Sequence, residues 1–286
     1  MQSADEQQSG FPFFQLDRYL KILVQDLNRY VAIAEEFPND PSGKVKAGGL
    51  MHDRKVSRII TPGTLIDENF IDPYTNNYVL AIHAEEDGDE FQDPKGASHS
   101  DVKLGLAWLD LSTGQFFTQT TTLSSLRSFL ARIGPREIVL DEDLQTSKDH
   151  GLFTVLADDH HLITYMATDE ITPISEWSSM LESPVPANAM DEFLPQEVAA
   201  GSALLKYVET RLQGSILKLQ PPSRQEDVMG IDKNTMTALE VRKTMRDGTV
   251  TGSLLHTIRR TVTQGGARLL DRWLSKCSIF TAANPY

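Results

Sequence analysis

Cysteine is almost absent from this sequence of 286 residues, since Cys277 is its single member. One cysteine excludes an internal disulfide framework and a zinc site built from cysteines. Long apolar runs are missing too, and no stretch approaches the roughly 18 residues that a membrane span needs. The first ten residues, MQSADEQQSG, are polar and acidic, so no targeting peptide is visible. The length allows about two ordinary domains.

Positive charge is scarce, and the net charge of −13 argues against a generic nucleic-acid binder. The charges are unevenly spread. Residues 137–200 contain 14 Asp and Glu against one Lys, whereas residues 224–286 contain 10 Lys and Arg against six Asp and Glu. The uneven spread suggests different surfaces for different partners, although an acidic run is also what a solvated face looks like.

Residues 11–68 read as a short helix-and-strand unit. Leucines at helical spacing predict one apolar stripe, made of Leu16, Leu20, Leu23 and Leu27. Phe13 and Phe14 are expected to pack at the start of that helix. Strand composition follows at residues 30–37 and again in RKVSRIITPGTLIDE, residues 54–68, where Pro62 and Gly63 indicate a turn.

Residues 76–215 read as one α/β domain. Residues 78–84 are almost continuously apolar, as a strand covered on both faces should be. A hairpin at residues 104–121, a helix from Leu123 to Ile133 and further strands at 137–140 and 162–166 follow. A long helix is predicted from residue 194 to residue 212, ending at Gly214. We expect six core side chains here: Leu104, Leu106, Trp108, Leu126, Leu130 and Leu205.

Residues 229–286 are helical in pattern. Asp232 is placed to cap a helix that runs to about Met245, and Ser253 and Thr263 stand at the starts of two more. In the last helix an apolar side is predicted from four residues: Ala267, Leu270, Trp273 and Leu274.

Three stretches resemble the MutS family of DNA mismatch repair proteins. The first is GFPFFQLDRYLKILVQDLNRYVAIAEEF, with the Gly-x-Pro pair and the Val-Ala-Ile strand of that family, and the second is RKVSRIITPGTLIDE. The third is the most specific and falls on the helical end, at Asp232, Thr235, Leu239, Glu240, Gly252 to Leu255, Thr263, Gly266, Arg268, Leu269, Leu270, Trp273 and Leu274.

The resemblance implies an α/β fold in three parts. Residues 1–68 would be the C-terminal part of a partial α/β mismatch-binding domain, and residues 69–222 a ribonuclease-H-like connector domain. Residues 223–286 would be the start of a truncated, all-helical lever domain. The chain is therefore expected to be a fragment, since the family's Phe-x-Glu mismatch reader is missing before Gly10.

The basic cluster Arg54, Lys55 and Arg58 is the predicted DNA-binding site, because cations near a strand start can reach phosphates. The resemblance places a residue like Arg54 beside the DNA backbone. The alternative is a strand edge that charge protects from pairing. A nuclease with Asp101 and Asp110 holding Mg²⁺ is a distant third possibility, because fold does not imply function.

The resemblance implies DNA mismatch repair, with mismatched double-stranded DNA as partner and self-association in the full-length family. ATP and Mg²⁺ are cofactors of that family, but Gly43-Lys44 lacks the spacing of a phosphate-binding loop, so no ATPase activity is expected of this chain. The alternative function is a non-catalytic protein-interaction module without DNA binding of its own. The sequences of residues 10–33 and 43–56 most resemble those of fungal mitochondrial homologues. This resemblance predicts a mitochondrial location, with the nucleus as alternative.

Overall fold

The computed structural model describes residues 10–38, 52–65, 76–84, 102–146, 151–157, 161–167, 170–213, 218–225 and 231–275. Contacts along the chain divide it into two units, Met1–Pro62 and Gly63–Tyr286. Within the described parts, no helix is long and apolar enough to cross a membrane. Asp101, Cys277 and the Gly43-Lys44 pair lie outside the described residues.

The first unit contains a helical segment and a two-stranded antiparallel hairpin. The segment begins as a 3-10 turn at Phe13–Gln15, continues as α1 (Leu16–Leu20) and ends in a π-helical stretch at Lys21–Asp26. The hairpin pairs β1 (Val31–Pro38) with β2 (His52–Ile60). The strands predicted for this part are therefore confirmed.

Two expectations about this helical segment are wrong. Leu23 and Leu27 are exposed, and the buried residues are Leu20 and Val24. A π-helical stretch has more residues per turn than an α-helix, so the residue that follows Leu20 on its face is Val24 rather than Leu23. Phe13 and Phe14 do not pack either, because they lie in the 3-10 turn and are 86% and 80% exposed.

The second unit is built on a six-stranded mixed sheet in the order β7-β6-β3-β4-β5-β8. Its strands are β3 (Tyr78–Ala84), β4 (Lys103–Asp110), β5 (Gln115–Thr122), β6 (Glu137–Asp141), β7 (Leu162–Met166) and the short β8 (Ser223–Arg224). β3, β4 and β5 pair antiparallel, whereas β6 pairs in parallel with β3 and with β7. The predicted strands and the hairpin are confirmed.

Helices cover both faces of this sheet. α2 (Leu123–Ile133) and α3 (Gly151–Leu156) cover one face, around Leu80, Leu106 and Trp108. Short helices at Ile174–Ser179 and α4 (Ala187–Met190) and the long α5 (Pro195–Leu212) lie on the other. All six predicted core side chains are buried.

One glycine sets how closely α5 approaches the sheet. A Cβ built at Gly105 of β4 would lie 1.9 Å from the backbone oxygen of Gln196 in α5. No side chain fits that space, because the obstacle is backbone rather than a flexible side-chain tip. The end of α5 differs slightly from expectation: the helix ends at Leu212, Gln213 adopts the left-handed conformation at φ 49°, and Gly214 lies outside the described residues.

The remaining helices are short, and they belong to the second unit. α6 spans Lys233–Ala238, α7 spans Leu254–Ile258 and α8 spans Gln264–Leu274. The predicted cap at Asp232 is confirmed, and Ser253 and Thr263, which were predicted at the starts of two helices, also act as caps. Each cap side chain accepts a hydrogen bond from a backbone N–H, which for Asp232 is that of Thr235. The pKa of the Asp232 carboxyl is lowered by the hydrogen bond from the Thr235 hydroxyl and, to a smaller extent, by the one from the Thr235 N–H. The predicted extension of α6 to Met245 is wrong, because Glu240 turns left-handed at φ 47°.

The buried side of α8 is turned away from the apolar side that its pattern predicts. Trp273 is 63% exposed, while Arg268, Asp271 and Ser275 are buried. The predicted apolar side therefore holds for Ala267, which is buried, and in part for Leu270 and Leu274, which are half-buried, but not for Trp273. The buried charged side chains of α8 contact polar partners, since Asp271 accepts from Arg242, and Arg268 donates to Ser112 and lies 4.0 Å from Asp110.

Candidate nucleic-acid interface and the charged joint

The three predicted DNA-binding cations all lie on β2 of the hairpin. Cross-strand pairing places Arg54 opposite Glu36, Lys55 opposite Glu35, and Arg58 opposite Ile33. A register shift follows the Ile33–Arg58 pair, because the next residue of β1, Ala34, pairs with Val56. Ser57 is thus the extra residue of a β-bulge, in which two residues on one strand oppose one on its partner.

This bulge divides the cluster between the two faces of the hairpin. Residues alternate between faces along β1, and directly opposed residues share a face. Lys55 and Arg58 consequently lie on one face, and Arg54 lies on the other. Without the bulge, simple alternation would have put Arg54 and Arg58 together and Lys55 apart.

Arg54 is held in an ion pair on its own face. Its Nε and Nη2 donate to Oε1 of Glu36 at 2.9 and 2.7 Å. The side chains are 78% and 52% exposed, and an exposed pair of this kind contributes at most about 1 kcal/mol. This arrangement fits the protected strand edge for Arg54 and leaves Lys55 and Arg58 as the pair of cations on a common surface.

The carboxylate of Asp110, predicted as a distant alternative metal ligand, is buried and used for structure. It accepts hydrogen bonds from the backbone N–H of Asn77 and from the N–H and hydroxyl of Ser112. No group of three or more potential metal ligands occurs among the residues that the structure describes. Asp110 therefore fixes the hairpin turn after β4.

Two glutamates, Glu137 and Glu197, are fully buried, which the sequence did not predict. Glu137, at the start of β6, accepts from the N–H of Gly63 at 3.1 Å, from the hydroxyl of Thr164 at 2.6 Å and from the hydroxyl of Tyr207. Glu197, in the first turn of α5, accepts from the N–H of Leu194 and from Nε of Arg224. The position of Glu197 three residues after a helix start is a recognisable capping signal, whereas a glutamate opening an apolar strand gives no such signal.

A cluster of charged side chains joins α8 to the sheet, and we call Arg242, Arg268, Asp271 and Arg272 the charged joint. Arg242 donates to both carboxylate oxygens of Asp271, at 2.8 and 3.1 Å. It also donates to the carbonyls of Ala131 and Arg132, near the end of α2. Cations are favourable at that place because the last carbonyls of a helix have no partner within the helix.

The other arginines of the charged joint reach the β4–β5 hairpin. Nη1 of Arg268 donates to the hydroxyl of Ser112 at 2.9 Å and lies 4.0 Å from Asp110 Oδ2. The guanidinium of Arg272 lies over the ring of Phe117, 5.4 Å from its centre. Beside them, burial raises the pKa of Tyr78 to about 12, and the nearby Arg272 opposes that rise.

A polar groove of about 700 Å³ runs beside the outer edge of β5. β8 pairs with β5 at Phe117 and Thr118, so beyond them that edge has no strand partner among the described residues. Lys103, Arg132 and Arg224 line the groove. Five hydroxyl-bearing residues also line it, namely Thr120, Thr121, Thr122, Ser125 and Ser128. The groove is thus a candidate surface for a polar chain or peptide.

Models of known families match nearly the whole sequence. A sequence model of the family described as MutS domain II matches residues 77–220. Models described as MutS domain III and MutS domain I match residues 234–279 and residues 1–69. The domain I match includes the β1–β2 hairpin with its three cations, and the domain II match includes five of the six strands of the sheet, β3 to β7.

Curated proteins named DNA mismatch repair protein MutS are similar along most of the chain. The one from Wolbachia pipientis wMel is 31% identical over 274 residues, 93% of this chain and 30% of the relative. Those from Nitrobacter winogradskyi and Synechocystis are 31% and 30% identical over 99% and 93% of this chain, and 30% of each relative is covered. The chain spans about 30% of the length of these relatives.

Proposed function

Since the chain belongs to the MutS family, we propose that it takes part in DNA mismatch repair as a DNA-contacting part of a protein that binds mismatched duplexes. The observation that carries the proposal is the hairpin within the domain I match, where Lys55 and Arg58 share one face. Two cations on one surface can contact successive phosphates of a duplex, which gives affinity without reading the sequence.

Binding by this chain is expected to be weak and unspecific. Glu35 lies directly opposite Lys55, and Arg54 is engaged with Glu36, so acidic side chains offset part of the positive charge. The net charge of −13 opposes the approach of DNA as well. The sequence contains no Phe-x-Glu motif to stack on a mispaired base, so matched and mismatched duplexes are expected to bind equally.

The test is a titration of matched and mismatched duplexes at several salt concentrations. With two phosphate contacts, log K should fall against log salt with a slope of about −1.8, at roughly 0.9 per contact. Lys55→Ala and Arg58→Ala should each reduce that slope by about half. Arg54→Ala is the matched control, being a cation of the same strand on the other face, and should leave the slope unchanged.

An unchanged slope in both Lys55→Ala and Arg58→Ala would contradict the proposal. The candidate DNA-binding cations would then be those at the basic end of the chain, where Arg260 is exposed but Arg268 is buried. A preference for the mismatched duplex would mean that another residue performs the stacking.

The sheet region supports a connecting role within the proposed protein. Its antiparallel β5-β4-β3 part continues into the parallel β3-β6-β7 part, with α2 between β5 and β6. That order supports a ribonuclease-H-like connector for residues 69–222. ATP and Mg²⁺ are proposed to act in another part of the family's longer proteins, and self-association is proposed for those proteins as well.

A second candidate function is that of a protein-interaction module without DNA binding of its own. The polar groove beside β5 favours it, because an open strand edge can pair with an extended peptide. The alternative would be favoured if the intact, folded chain showed no affinity for DNA. The relatives described above are bacterial rather than fungal mitochondrial proteins. They do not test the location, so the mitochondrial location stays a prediction from the resemblance, with the nucleus as alternative.

A further inference from the structure

A small cavity lies between the charged joint and the β4–β5 turn. Its volume is about 60 Å³. Arg268 and Arg272 form the wall on α8, and Asn76, Thr113 and Gln115 form the opposite wall. All five side chains can donate hydrogen bonds, and no carboxylate lines the cavity within the described part of the chain.

The volume suits one small polyatomic ion. A single water needs roughly 10–15 Å³ measured in this way, so the cavity offers about the room of four oxygen atoms. Pockets for whole small molecules are larger, about 300 Å³ and above. A nucleoside is therefore too large, whereas a tetrahedral group with four oxygens matches the available space.

The charges around the cavity do not balance. Arg242, Arg268 and Arg272 face two carboxylates, Asp110 and Asp271, which leaves one positive charge in excess. Arg242 is occupied by Asp271 and the two carbonyls of α2. Arg268, with its side chain 9% exposed, donates to the hydroxyl of Ser112 and lies 4.0 Å from Asp110.

Arg272 is the arginine through which an anion would be recruited. Among the residues that the structure describes, its guanidinium is engaged by the Phe117 ring and by no hydrogen-bond acceptor. A guanidinium presents five N–H donors in a planar fork. That fork fits phosphate oxygens two at a time, which is why arginine is favoured wherever phosphate is recognised.

We propose that this cavity binds one phosphate-type oxyanion between Arg268 and Arg272, with Asn76 and Gln115 donating from the opposite wall. The anion would neutralise the excess positive charge and tie α8 to the β4–β5 turn. This site is separate from the hairpin cations and does not depend on mismatch binding. Its ligand is either free phosphate or a phosphate of a nucleic-acid backbone, which share the same chemistry.

The test is thermal unfolding of the full chain in increasing inorganic phosphate, with chloride adjusted to keep the ionic strength constant. A ligand that binds the folded state stabilises it as RT ln(1 + [L]/Kd), so the melting temperature should rise with phosphate. Arg272→Gln should weaken the apparent phosphate affinity at least about tenfold, because charge-assisted hydrogen bonds are lost. Arg246→Gln is the matched control, since that side chain is 92% exposed, and should respond like the wild type.

Gln115→Ala keeps the proposal testable if Arg272→Gln fails to fold. It removes a donor from the opposite wall without changing α8, and should weaken the phosphate response about threefold or more. No phosphate-specific stabilisation of the wild type would overturn the proposal, and so would equal stabilisation of wild type, Arg272→Gln and Gln115→Ala.

A matched DNA duplex, added at a fixed phosphate concentration, identifies the source of the anion. If the phosphate response of the wild type falls when duplex is present, and that competition is lost in Arg272→Gln, the natural ligand is a backbone phosphate. If the response is unaffected, the ligand is free phosphate. The phosphate titration itself contains no DNA, so its failure would leave the proposal for Lys55 and Arg58 standing.

Discussion

The two faces of the sheet bury apolar side chains, whereas α8 meets the same unit through buried charge. Leu106 on β4 is fully buried among leucines and aromatic rings, and Asp271 on α8 is nearly as buried but holds Arg242. Apolar burial contributes by area and tolerates small adjustments of neighbouring groups. A buried ion pair depends on the presence of both partners, because the remaining charge would otherwise be unpaired.

The difference indicates which contacts fix the fold and which fix the arrangement of its parts. The apolar faces would form with many combinations of similar side chains. The fork of Arg242 reaches Asp271 and the end of α2 in one geometry. We infer that the charged joint specifies how α8 is placed, while the sheet supplies most of the stability.

The largest effect is expected for Leu106→Ala, which removes a fully buried side chain of the sheet. The loss of apolar burial and the cavity left behind should lower the free energy of unfolding by about 2–5 kcal/mol. Urea unfolding measures the change. Leu239→Ala is the control, since Leu239 is 62% exposed, and should stay within about 0.5 kcal/mol of the wild type. A loss of that small size for Leu106→Ala would remove this residue from the core.

Asp271→Asn tests the charged joint, and its expected effect is somewhat smaller. The amide cannot neutralise Arg242, so charge-assisted hydrogen bonds worth about 2–3 kcal/mol should be lost. The same urea experiment applies, with Asp247→Asn as control because its contact with Arg246 is long, at 3.9 Å, and exposed. If both aspartates behaved alike, the contrast between buried and exposed pairs would fail.

Tyr78, which lies beside the charged joint, makes the stability of the protein depend on pH at the alkaline end. Burial raises its pKa from 10.0 to about 12, so the folded protein keeps this proton where the unfolded chain has lost it. The resulting stability is complete below pH 10 and is lost as the pH rises from 10 towards 12. Between pH 9 and pH 11 the loss should be about 1 kcal/mol, at 1.36 kcal/mol per pKa unit.

The measurement for Tyr78 is urea unfolding at both pH values, and Tyr78→Phe is the comparison. The variant has no hydroxyl to titrate, so its decline in stability over this range should be smaller by that amount. Identical declines in the two proteins would show that this hydroxyl titrates normally.

The smallest effect is expected for the exposed pair of the hairpin. Arg54→Ala and Glu36→Ala should each change stability by less than about 1 kcal/mol, since water already solvates both groups. A double-mutant cycle measures the coupling between them, and a coupling much above 1 kcal/mol would mean that this pair behaves like the buried ones.

The elements that sequence predicted well are those in which pattern and burial agree. The apolar run of β3 and the helix predicted from Leu123 to Ile133 are confirmed because one structural period explains each of them. The sequence predicted only the apolar side of α8, and the side that docks depends on Asp110, Ser112 and Arg242, which lie far away along the chain.

The strand location of the three candidate cations was predicted, but their arrangement on the hairpin was not. Composition identifies Arg54, Lys55 and Arg58 as strand residues, and they are. The bulge at Ser57 depends on how β1 and β2 are aligned, which local sequence does not specify. The π-helical stretch after Leu20 likewise shifts which residues of the helical segment are buried. Both wrong predictions, the faces of the hairpin cations and the leucine stripe, therefore come from one extra residue in the local period.

The hydrogen bond from Gly63 to Glu137 bears on where this protein can be divided for expression. The domain II match begins at residue 77, yet the backbone of Gly63 donates to the buried carboxylate of Glu137 at the start of β6, and Asn77 donates to the carbonyls of Gly63 and Leu65. A shortened protein that starts at residue 77 would leave Glu137 without one of its donors and open its surroundings to water. One that starts at or before residue 63 keeps this network intact, so the span needed for folding is longer than the span that sequence comparison marks out.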